Sequence, residues 1–363
     1  MKVHALAIAL LVASAVAMPA LAQHRVPFPD GRTVTVMSWN VSNGVDAELA
    51  AVPSAANLPD LLQKVAAVYQ GYVARNFPDR AAAIADQVAA HRPDLIGLQE
   101  AVLVRTQSPP DGPSTPATMV ALDYVQILLD ALATRGQRYE VVVQSINFDA
   151  ELPSALGFDV RHTDRDVILA RIDSRAPDLA FTNAQAGIFS ANCAVTSATL
   201  GPTTFRRGWA SIDVKLRQQT FRFISTHLEG ACLQATAAIQ QAQAFDLLGG
   251  PAATTLPLVL VGDLNSAGDG TGAAYNKLTA AGFTDAAVVA GIGNSLTCCQ
   301  APDLSNPTSL FDRRIDFVLV RGPFTVLGTQ LVGEQPADRT ATGRWPSDHA
   351  GIVTRLGLAH PSQ

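Results

Sequence analysis

Short apolar runs, many of them ending in polar side chains, alternate along the chain with longer segments of helical spacing. The strand-like runs span residues 34–40, 95–100, 139–144, 166–172, 220–226, 256–261, 314–320 and 351–355. Apolar positions recur every three or four residues in 58–72, 80–91, 121–135, 231–248 and 275–281, which predicts helices. Several of the strands are apolar on both faces, and such strands lie in sheets that helices cover. The pattern therefore predicts an α/β fold.

The polar residues that follow these strands are the most informative positions. In Leu260-Val261-Gly262-Asp263-Leu264-Asn265, residues two apart share one face of a strand, so Asp263 and Asn265 point to one side. Ser347-Asp348-His349 places a carboxylate beside an imidazole before another strand. Such groups suit a divalent metal ion and a phosphate. The alternative is an Asx-turn, in which Asp263 or Asn265 bonds only to nearby backbone.

Length and charge limit the possible classes. The chain has 363 residues, enough for one large α/β domain or two smaller ones. No internal repeat or composition shift separates two domains, so we expect one domain over residues 23–363, and a monomer. The formal net charge of −5 gives no broad basic surface for nucleic acid. A nuclease stays possible, because a metal site and a few arginines can suffice; Arg206-Arg207, near Trp209, is the one such hint.

The first 22 residues have the pattern of a secretory signal peptide. Lys2 precedes an apolar run over residues 5–16, and Ala20-Leu21-Ala22 is a small-residue cleavage site. A membrane-spanning helix needs about 20 apolar residues, and Pro19 interrupts this segment. We therefore expect no transmembrane anchor and a secreted or periplasmic mature protein that begins near Gln23.

The cysteines are Cys193, Cys232, Cys298 and Cys299, and their even number suggests disulfides in an exported protein. Four cysteines allow three pairings. A bond between the adjacent Cys298 and Cys299 would be strained, so we expect each of them to pair with Cys193 or Cys232. A zinc site is the rival interpretation, but the spacing does not match two C-x2-C pairs.

Six motifs follow one another along the chain. They are Ser38-Trp39-Asn40, Asp94-Leu95-Ile96-Gly97-Leu98-Gln99-Glu100, Thr226-His227-Leu228, Gly262-Asp263-Leu264-Asn265, Arg314-Ile315-Asp316-Phe317 and Ser347-Asp348-His349. Their order resembles the endonuclease/exonuclease/phosphatase superfamily of DNase I-like nucleases, abasic-site endonucleases, inositol polyphosphate 5-phosphatases and secreted sphingomyelinases. The resemblance implies a four-layer α/β sandwich, with two mixed β-sheets face to face and helices outside. The site would lie at one end, where the strand tips converge.

The resemblance also implies a divalent metal, Mg²⁺ or else Mn²⁺ or Ca²⁺. Glu100 would be the central ligand, with Asn40 and Asp348 nearby. This set fits the chemistry of magnesium, which takes one or two carboxylates and keeps several waters. The alternative for Glu100 is a solvated residue that opens a loop.

Catalytic roles are implied for Asp263, Asn265 and His349. Asp263 would orient or deprotonate an attacking water, and Asn265 would hold that water or a phosphate oxygen. His349 would contact the scissile phosphate, either as an imidazolium that neutralises charge or as an imidazole that accepts a proton.

Two further residues, Asp316 and His227, are assigned supporting roles. Asp316 would fix the tautomer of His349, which accounts for a carboxylate inside an apolar strand; otherwise it pairs structurally with Arg313 or Arg314. His227 would bind phosphate or donate a proton, as in the phosphatase, sphingomyelinase and DNase I-like branches. Otherwise it is a hydrogen-bonded core histidine.

Arg165 and Asp166 precede the strand 167–170, in a place where many family members carry a phosphate-binding polar residue. The alternative is a charge pair on the surface at the start of a strand.

These residues favour a metal-dependent phosphodiesterase, nuclease-like or sphingomyelinase-like, in which an oriented water attacks phosphorus in line. Its substrate would be a nucleic acid, a phospholipid or a small phosphoester. The first alternative is a phosphomonoesterase of the inositol-phosphate type, although polyphosphates need several lysines and arginines. The second is a non-catalytic binding module on the same fold.

Overall fold

The computed structural model describes residues 33–173, 179–232 and 235–358. The predicted signal peptide, residues 1–22, lies outside the described residues. Within the described ranges, no helix is long and apolar enough to cross a membrane. The assignment of residues 23–363 to one domain stays a prediction.

The described strands and helices alternate as the sequence pattern predicts. The strands are β1 Thr33–Asn40, β2 Leu95–Gln99, β3 Leu103–Gln107, β4 Met119–Asp123, β5 Tyr139–Pro153, β6 Asp159–Arg171, β7 Leu179–Ile188, β8 Cys193–Ser197, β9 Gly201–Phe205, β10 Gly208–Leu216, β11 Gln219–His227, β12 Leu258–Asp263, β13 Thr284–Asp285, β14 Asp316–Arg321, β15 Phe324–Val332 and β16 Gly351–Leu358. The helices are α1 Asp46–Ala51, α2 Leu58–Arg75, α3 Phe77–His91, α4 Tyr124–Ala133, α5 Thr236–Gly249, α6 Ala273–Ala280 and α7 Ala286–Val289. Short 3-10 helices occupy Val52–Ser54, Gly112–Ser114 and Pro336–Asp338.

Two large mixed sheets form the centre of the molecule. The first has the order β15-β16-β1-β2-β6-β3-β4, with β5 also paired to β6. The second has the order β13-β14-β12-β11-β10-β7, and β8 and β9 form a separate two-stranded hairpin. The predicted sheet composition, mixed rather than all parallel, is confirmed.

Three apolar clusters separate four layers. The central cluster joins the inner faces of the two sheets, for example Val36 and Ile168 of the first against Phe223 and Val261 of the second. A second cluster lies between the first sheet and helices α2, α3 and α4. The third lies between the second sheet and helices α5 and α6. Burial of apolar surface on both faces of each sheet stabilises this arrangement, and the predicted four-layer sandwich is confirmed.

The strand register brings the polar strand ends together. Strands β1 and β2 run parallel, so Asn40 and the residues after Gln99 lie at the same end of these strands. Strands β11 and β12 also run parallel, with His227 opposite Asp263. Asp316 begins β14 directly opposite Asp263 because these two strands are antiparallel.

Gly97 allows the two sheets to approach each other near this edge. A Cβ at this position would lie 2.5 Å from a methyl carbon of Val261 and 2.8 Å from the Ser225 hydroxyl, both on the second sheet. Such contacts are too short for real atoms, so a side chain here would force the sheets apart. Gly97 therefore helps to set the spacing between the two halves of the site.

Several elements differ from the sequence predictions. Residues 121–123, predicted as the start of a helix, continue strand β4, and α4 begins only at Tyr124 after the Asp123 cap. Strand β5 runs to Pro153, well beyond the predicted end at 144, and bulges twice against β6. Strands β3, β7 to β10, β13 and β15 were not predicted. Strand β7 is mostly exposed and shows no continuous apolar run, and β3, β8, β9 and β13 have five residues or fewer.

Candidate active site

A cleft of about 380 Å³ opens where the strand ends meet. Six of the predicted site residues line this polar cleft or its floor: Glu100, His227, Asp263, Asn265, Asp348 and His349. Asn40 and Asp316 lie directly behind them and bond to lining residues. The structure thus brings all eight predicted residues together.

Glu100 lies at the base of the polar cleft, in a carboxylate cluster. One of its oxygens accepts hydrogen bonds of 2.7 Å from both the backbone and the side-chain nitrogen of Asn43. The same Asn43 nitrogen donates to Asp46 at 2.7 Å. Burial, followed by the nearby charges of Asp46 and Asp348, raises the pKa of Glu100 well above its usual value. Negative charge is therefore concentrated here, as a divalent cation site requires.

The backbone at Glu100 is unusual. Its φ of +57° is in the left-handed region, which is costly for a residue with a long side chain. Asn265 has the same feature, with φ +47°. Both residues come immediately after a central strand, and the conformation turns each side chain into the cleft. Strained backbone of this kind occurs most often at functional sites.

Asn40 holds two carboxylates in place. Its side-chain nitrogen donates to Glu100 at 3.1 Å and to Asp263 at 3.2 Å, while its oxygen accepts from the Ser42 backbone. Both ends of the amide are therefore engaged within the protein. Asn40 positions the acidic groups, and its role as a metal ligand stays a prediction.

Asp263 occupies the centre of the site. Its Oδ2 lies 3.2 Å from the Asn40 amide nitrogen, 3.4 Å from His227 Nε2 and 3.8 Å from His349 Nε2. Its Oδ1 accepts from the Asn265 backbone nitrogen at 2.8 Å, so the predicted Asx-turn is present as well. Burial, followed by the charge of Asp316, raises the pKa of Asp263 to about 7. A carboxylate with that pKa suits general base catalysis near neutral pH.

His349 is held by Asp316. The two side chains form a 2.9 Å hydrogen bond between Nδ1 and Oδ2, so Nδ1 donates and Nε2 faces the cleft. Burial disfavours the protonated ring, but the carboxylates of Asp316, Asp263 and Asp348 outweigh it and raise the pKa of His349 well above its usual value. A positively charged imidazole is thereby stabilised where a phosphate would bind.

Hydrogen bonds to β1 also fix the backbone around His349. The Trp39 indole donates to the His349 carbonyl at 3.0 Å, and the Ser347 hydroxyl donates to the Asn40 carbonyl at 2.6 Å.

The alternative ion pair between Asp316 and a neighbouring arginine is absent among the described residues. Arg314 bonds instead to Asp285 and to the Gly268 carbonyl.

His227 faces Asp263 from the opposite side. A guanidinium nitrogen of Arg207 lies 3.1 Å from His227 Nδ1, and because a guanidinium only donates, that ring nitrogen accepts. His227 Nε2 lies 3.0 Å from the Asn265 side-chain nitrogen and 3.4 Å from Asp263 Oδ2. Burial, followed by the charges of Arg207 and His349, lowers the pKa of His227 well below its usual value. The two histidines are therefore electrostatically different, with His227 held neutral and His349 held charged.

Arg207 and Asp164 join the polar cleft although the sequence did not assign them to the site. Arg207 lies 3.7 Å from Asp164. Burial disfavours its charge, but the carboxylates of Asp164 and Glu229 raise its pKa. The Arg206-Arg207 pair was visible in the sequence only as a hint of nucleic-acid contact. Nothing in the sequence marks Asp164, which reaches the cleft from the middle of the long strand β6.

Arg165 and Asp166 differ from both interpretations of the sequence. Arg165 is buried and donates to the Ala101 and Val102 carbonyls and to Asp123, so it fixes the loop after Glu100 rather than facing the cleft. Asp166 is fully buried, and burial followed by the charge of Asp164 raises its pKa well above the usual value. Neither is a surface residue, and neither lines the cleft.

The predicted disulfide pairing is wrong. Cys193 pairs with Cys232, whose Cα atoms are 5.5 Å apart, and Cys298 pairs with its neighbour Cys299. Isolated β-bridges pair Cys298 with Arg313 and with His349, and so hold it beside His349 at the cleft. Its sulfur lies 3.5 Å from His349 Nε2.

Comparisons with known proteins identify the family and the fold. A model of the endonuclease/exonuclease/phosphatase family matches residues 37–349. A protein of that family from Leptotrichia buccalis is 14% identical, with a TM-score of 0.54 and coverage of 90% of this chain and 100% of that chain. Comparison with curated proteins gave no significant match.

Two other solved structures share the fold. TDP2 of D. rerio, complexed with a single-strand DNA product, is 18% identical, with a TM-score of 0.51 and coverage of 90% and 99%. A mannosyl-6-phosphatase of Bacteroides thetaiotaomicron is 16% identical, with a TM-score of 0.51 and coverage of 90% and 100%. At these identities the likeness concerns the fold alone.

Proposed function

Because the chain belongs to the endonuclease/exonuclease/phosphatase family of metal-dependent phosphoric ester hydrolases, we propose that it is a phosphodiesterase. An oriented water attacks phosphorus in line, the opposite P–O ester bond breaks, and the leaving oxygen departs as an alcohol or phenol after taking up a proton from solvent; no covalent enzyme intermediate forms. The observation that carries this proposal is the position of Asp263 between His227 and His349, at 3.4 and 3.8 Å, with Glu100 bonded to the same Asn40 amide.

The residues present fit a hard divalent cation, and we propose Mg²⁺, with Mn²⁺ or Ca²⁺ as substitutes. Carboxylate oxygens surround the base of the cleft, and burial, followed by the charges of Asp46 and Asp348, raises the pKa of Glu100. Glu100 and Asp348 would hold the ion. Once bound, it would supply Lewis-acid stabilisation of charge on the phosphoryl oxygens.

The side chains divide the remaining work. Asp263 accepts a proton from the attacking water, while Asn40 and Asn265 fix the direction of its carboxylate. His349, charged and held by Asp316, neutralises the phosphoryl oxygens. His227, held neutral, places Nε2 at the same centre as a second polar contact.

The charge of the polar cleft favours a diester over a monoester. The only arginines among its described lining residues are Arg206 and Arg207, whereas six carboxylates line it: Asp46, Glu100, Asp164, Glu229, Asp263 and Asp348. A phosphodiester carries one negative charge, whereas a monoester carries nearly two at neutral pH. The acidic cleft therefore opposes the monoester more strongly.

Hydrolysis of bis-p-nitrophenyl phosphate and p-nitrophenyl phosphate tests the proposal. Each substrate is assayed with Mg²⁺, Mn²⁺ or EDTA, with His349→Ala as the inactive variant. We expect diester cleavage that is lost in EDTA and in the variant. A preference for the monoester would establish the phosphomonoesterase alternative, and metal binding without turnover of either would favour the binding module.

We also propose that the mature protein is secreted or periplasmic. The signal-peptide pattern of residues 1–22 and the disulfide between Cys193 and Cys232 support this location. N-terminal sequencing of the exported protein tests it, and we expect a start near Gln23. Retention of an uncleaved chain in the cytoplasm would contradict the proposal.

A further inference from the structure

A second cavity, of about 250 Å³, adjoins the polar cleft. Leu49, Phe148, His162 and Phe205 line both spaces, so the two lie side by side. Beyond this boundary the second cavity, called here the apolar pocket, is lined mainly by aliphatic side chains: Val52, Val65, Val68, Leu152, Val160 and Leu200. A group attached to a phosphate in the polar cleft can therefore reach an apolar environment directly.

Few polar side chains line the apolar pocket, and Glu151 and one ring nitrogen of His162 are already hydrogen-bonded. Both carboxylate oxygens of Glu151 accept from the Ala117 backbone nitrogen, at 3.0 and 2.9 Å. The Nδ1 atom of His162 is paired with the Tyr72 hydroxyl. A ligand with many polar edge atoms, such as a nucleobase, would lose most of its bonds to water against these mainly aliphatic walls. A hydrocarbon chain would lose none.

Hydrogen bonds hold the walls of the apolar pocket in position. The hairpin β8–β9 supplies Leu200 and Thr203, and the Thr199 hydroxyl donates to the Ala55 carbonyl at 2.6 Å, which ties the hairpin to the end of the 3-10 helix that carries Val52. Phe148 and Phe205 pack against each other with ring centroids 5.1 Å apart. The cavity is thus formed before a ligand arrives, as ligand pockets usually are.

We propose that the apolar pocket binds the alkyl or acyl chain of a phosphodiester whose phosphate lies in the polar cleft. This inference rests on the proposed phosphodiesterase function and adds a substrate class to it: a diester with one aliphatic ester group. A group the size of a water molecule takes about 30 Å³, so the pocket holds roughly eight such groups, or one chain of medium length.

A chain-length series tests the inference on the unmodified protein. The substrates are p-nitrophenyl methyl, butyl and octyl phosphate, each below its critical micelle concentration, with the metal that supports bis-p-nitrophenyl phosphate cleavage. We expect kcat/KM to rise with chain length, by up to about fourfold for each methylene that the pocket buries. p-Nitrophenyl thymidine phosphate is the comparison substrate, because it carries a nucleobase instead.

A matched pair of variants locates the effect. Thr203 lines the apolar pocket and its neighbour Thr204 is exposed; adjacent residues on a strand point to opposite faces. Thr203→Trp should fill the pocket and lower the octyl-to-methyl ratio of kcat/KM at least about tenfold. Thr204→Trp should leave the ratio unchanged. Circular dichroism and thermal unfolding verify that both variants fold.

The outcomes separate this inference from the function on which it rests. If no diester is cleaved with any metal, the proposed function fails. If the methyl ester is cleaved but kcat/KM does not increase from methyl to octyl, the function stands and the inference fails. If the thymidine ester is preferred and Thr203→Trp abolishes that preference, the pocket binds a nucleobase and the inference is wrong.

Discussion

The polar cleft and the apolar pocket share four residues but are built in different ways. Central strands of both sheets end at the polar cleft. Strand register brings His227, Asp263 and Asp316 together, and the packing of the two sheets adds Asn40. The apolar pocket is walled instead by a 3-10 helix, helix α2 and the hairpin β8–β9, with strands β5 and β6 beneath. The comparison teaches that the reacting groups depend on the sandwich itself, whereas substrate choice depends on segments added around it.

His349→Ala should have the largest effect, and it should act through the polar cleft only. Loss of the imidazole removes the charge that faces phosphate and leaves Asp316 without its partner. We expect kcat to fall by about 10²–10⁴-fold for methyl and octyl esters alike. His91→Ala, on helix α3, is the control and should retain activity. A loss confined to the octyl ester would contradict the division of roles between cleft and pocket.

The disulfide between Cys193 and Cys232 connects the two regions. Cys193 begins the hairpin of the apolar pocket, and Cys232 follows the cleft residues of β11, at a separation of 39 residues. The double variant Cys193→Ser/Cys232→Ser should lose about 2–4 kcal/mol of unfolding free energy, measured in urea.

Kinetics with this double variant test whether the disulfide supports the apolar pocket or the polar cleft. The octyl-to-methyl ratio should fall because the hairpin loses its anchor, while kcat for the methyl ester stays near that of the unmodified protein. An equal loss for both esters would show that the disulfide supports the polar cleft instead.

Glu100→Gln should weaken metal binding. The substitution keeps the shape of the side chain but removes one negative charge from the carboxylate cluster. We expect the dissociation constant for Mn²⁺, measured by titration calorimetry, to increase at least about tenfold. Glu140→Gln, an exposed residue of β5, is the matched control. Unchanged Mn²⁺ affinity in Glu100→Gln would place the ion elsewhere.

The smallest effect concerns pH, which should act on the polar cleft and not on the apolar pocket. The raised pKa of His349 means that the folded, metal-free protein keeps a proton that the unfolded chain releases above about pH 6.5. Asp263 acts in the same direction up to about pH 7. His227, whose pKa is lowered, is neutral in both states in this range.

Because the native state binds more protons than the unfolded state, the free energy of unfolding should decrease as pH rises from 6.5 to 8. The slope is at most about 1.4 kcal/mol per pH unit for each group. Urea unfolding in EDTA measures it, and the slope should diminish in His349→Ala. Stability that increases over this interval would contradict the charge assignment of the two histidines.

Sequence reasoning succeeded where function depends on strand ends. An apolar run ending in Asp263 and Asn265, or in His227, predicts both the strand and the position of the side chain. The four layers and the full set of eight site residues came from the resemblance to the family. Asn43, Asp46 and Asp164 were missed because they reach the cleft from a loop, a short helix and mid-strand. The exposed polar strand β7 also shows no periodic signal.

The apolar pocket was not predictable from the sequence. Its wall residues come from segments far apart in the chain, and each of them separately is an ordinary aliphatic residue. The prediction of the cysteine pairing was wrong for a related reason, because distance along the chain says little about which segments meet. No sequence pattern reveals the β-bridges that hold Cys298 beside His349.

The absent side chain at Gly97 has a consequence for mutational tolerance. Saturation mutagenesis scored by activity would mark this position as essential, although it neither contacts substrate nor bears a reactive group. The reason is mechanical: any Cβ acts as a wedge against Val261 and Ser225, and the groups contributed by one sheet then lose alignment with those of the other. A map of the positions essential for activity would thus include a glycine that matters only because it has no side chain.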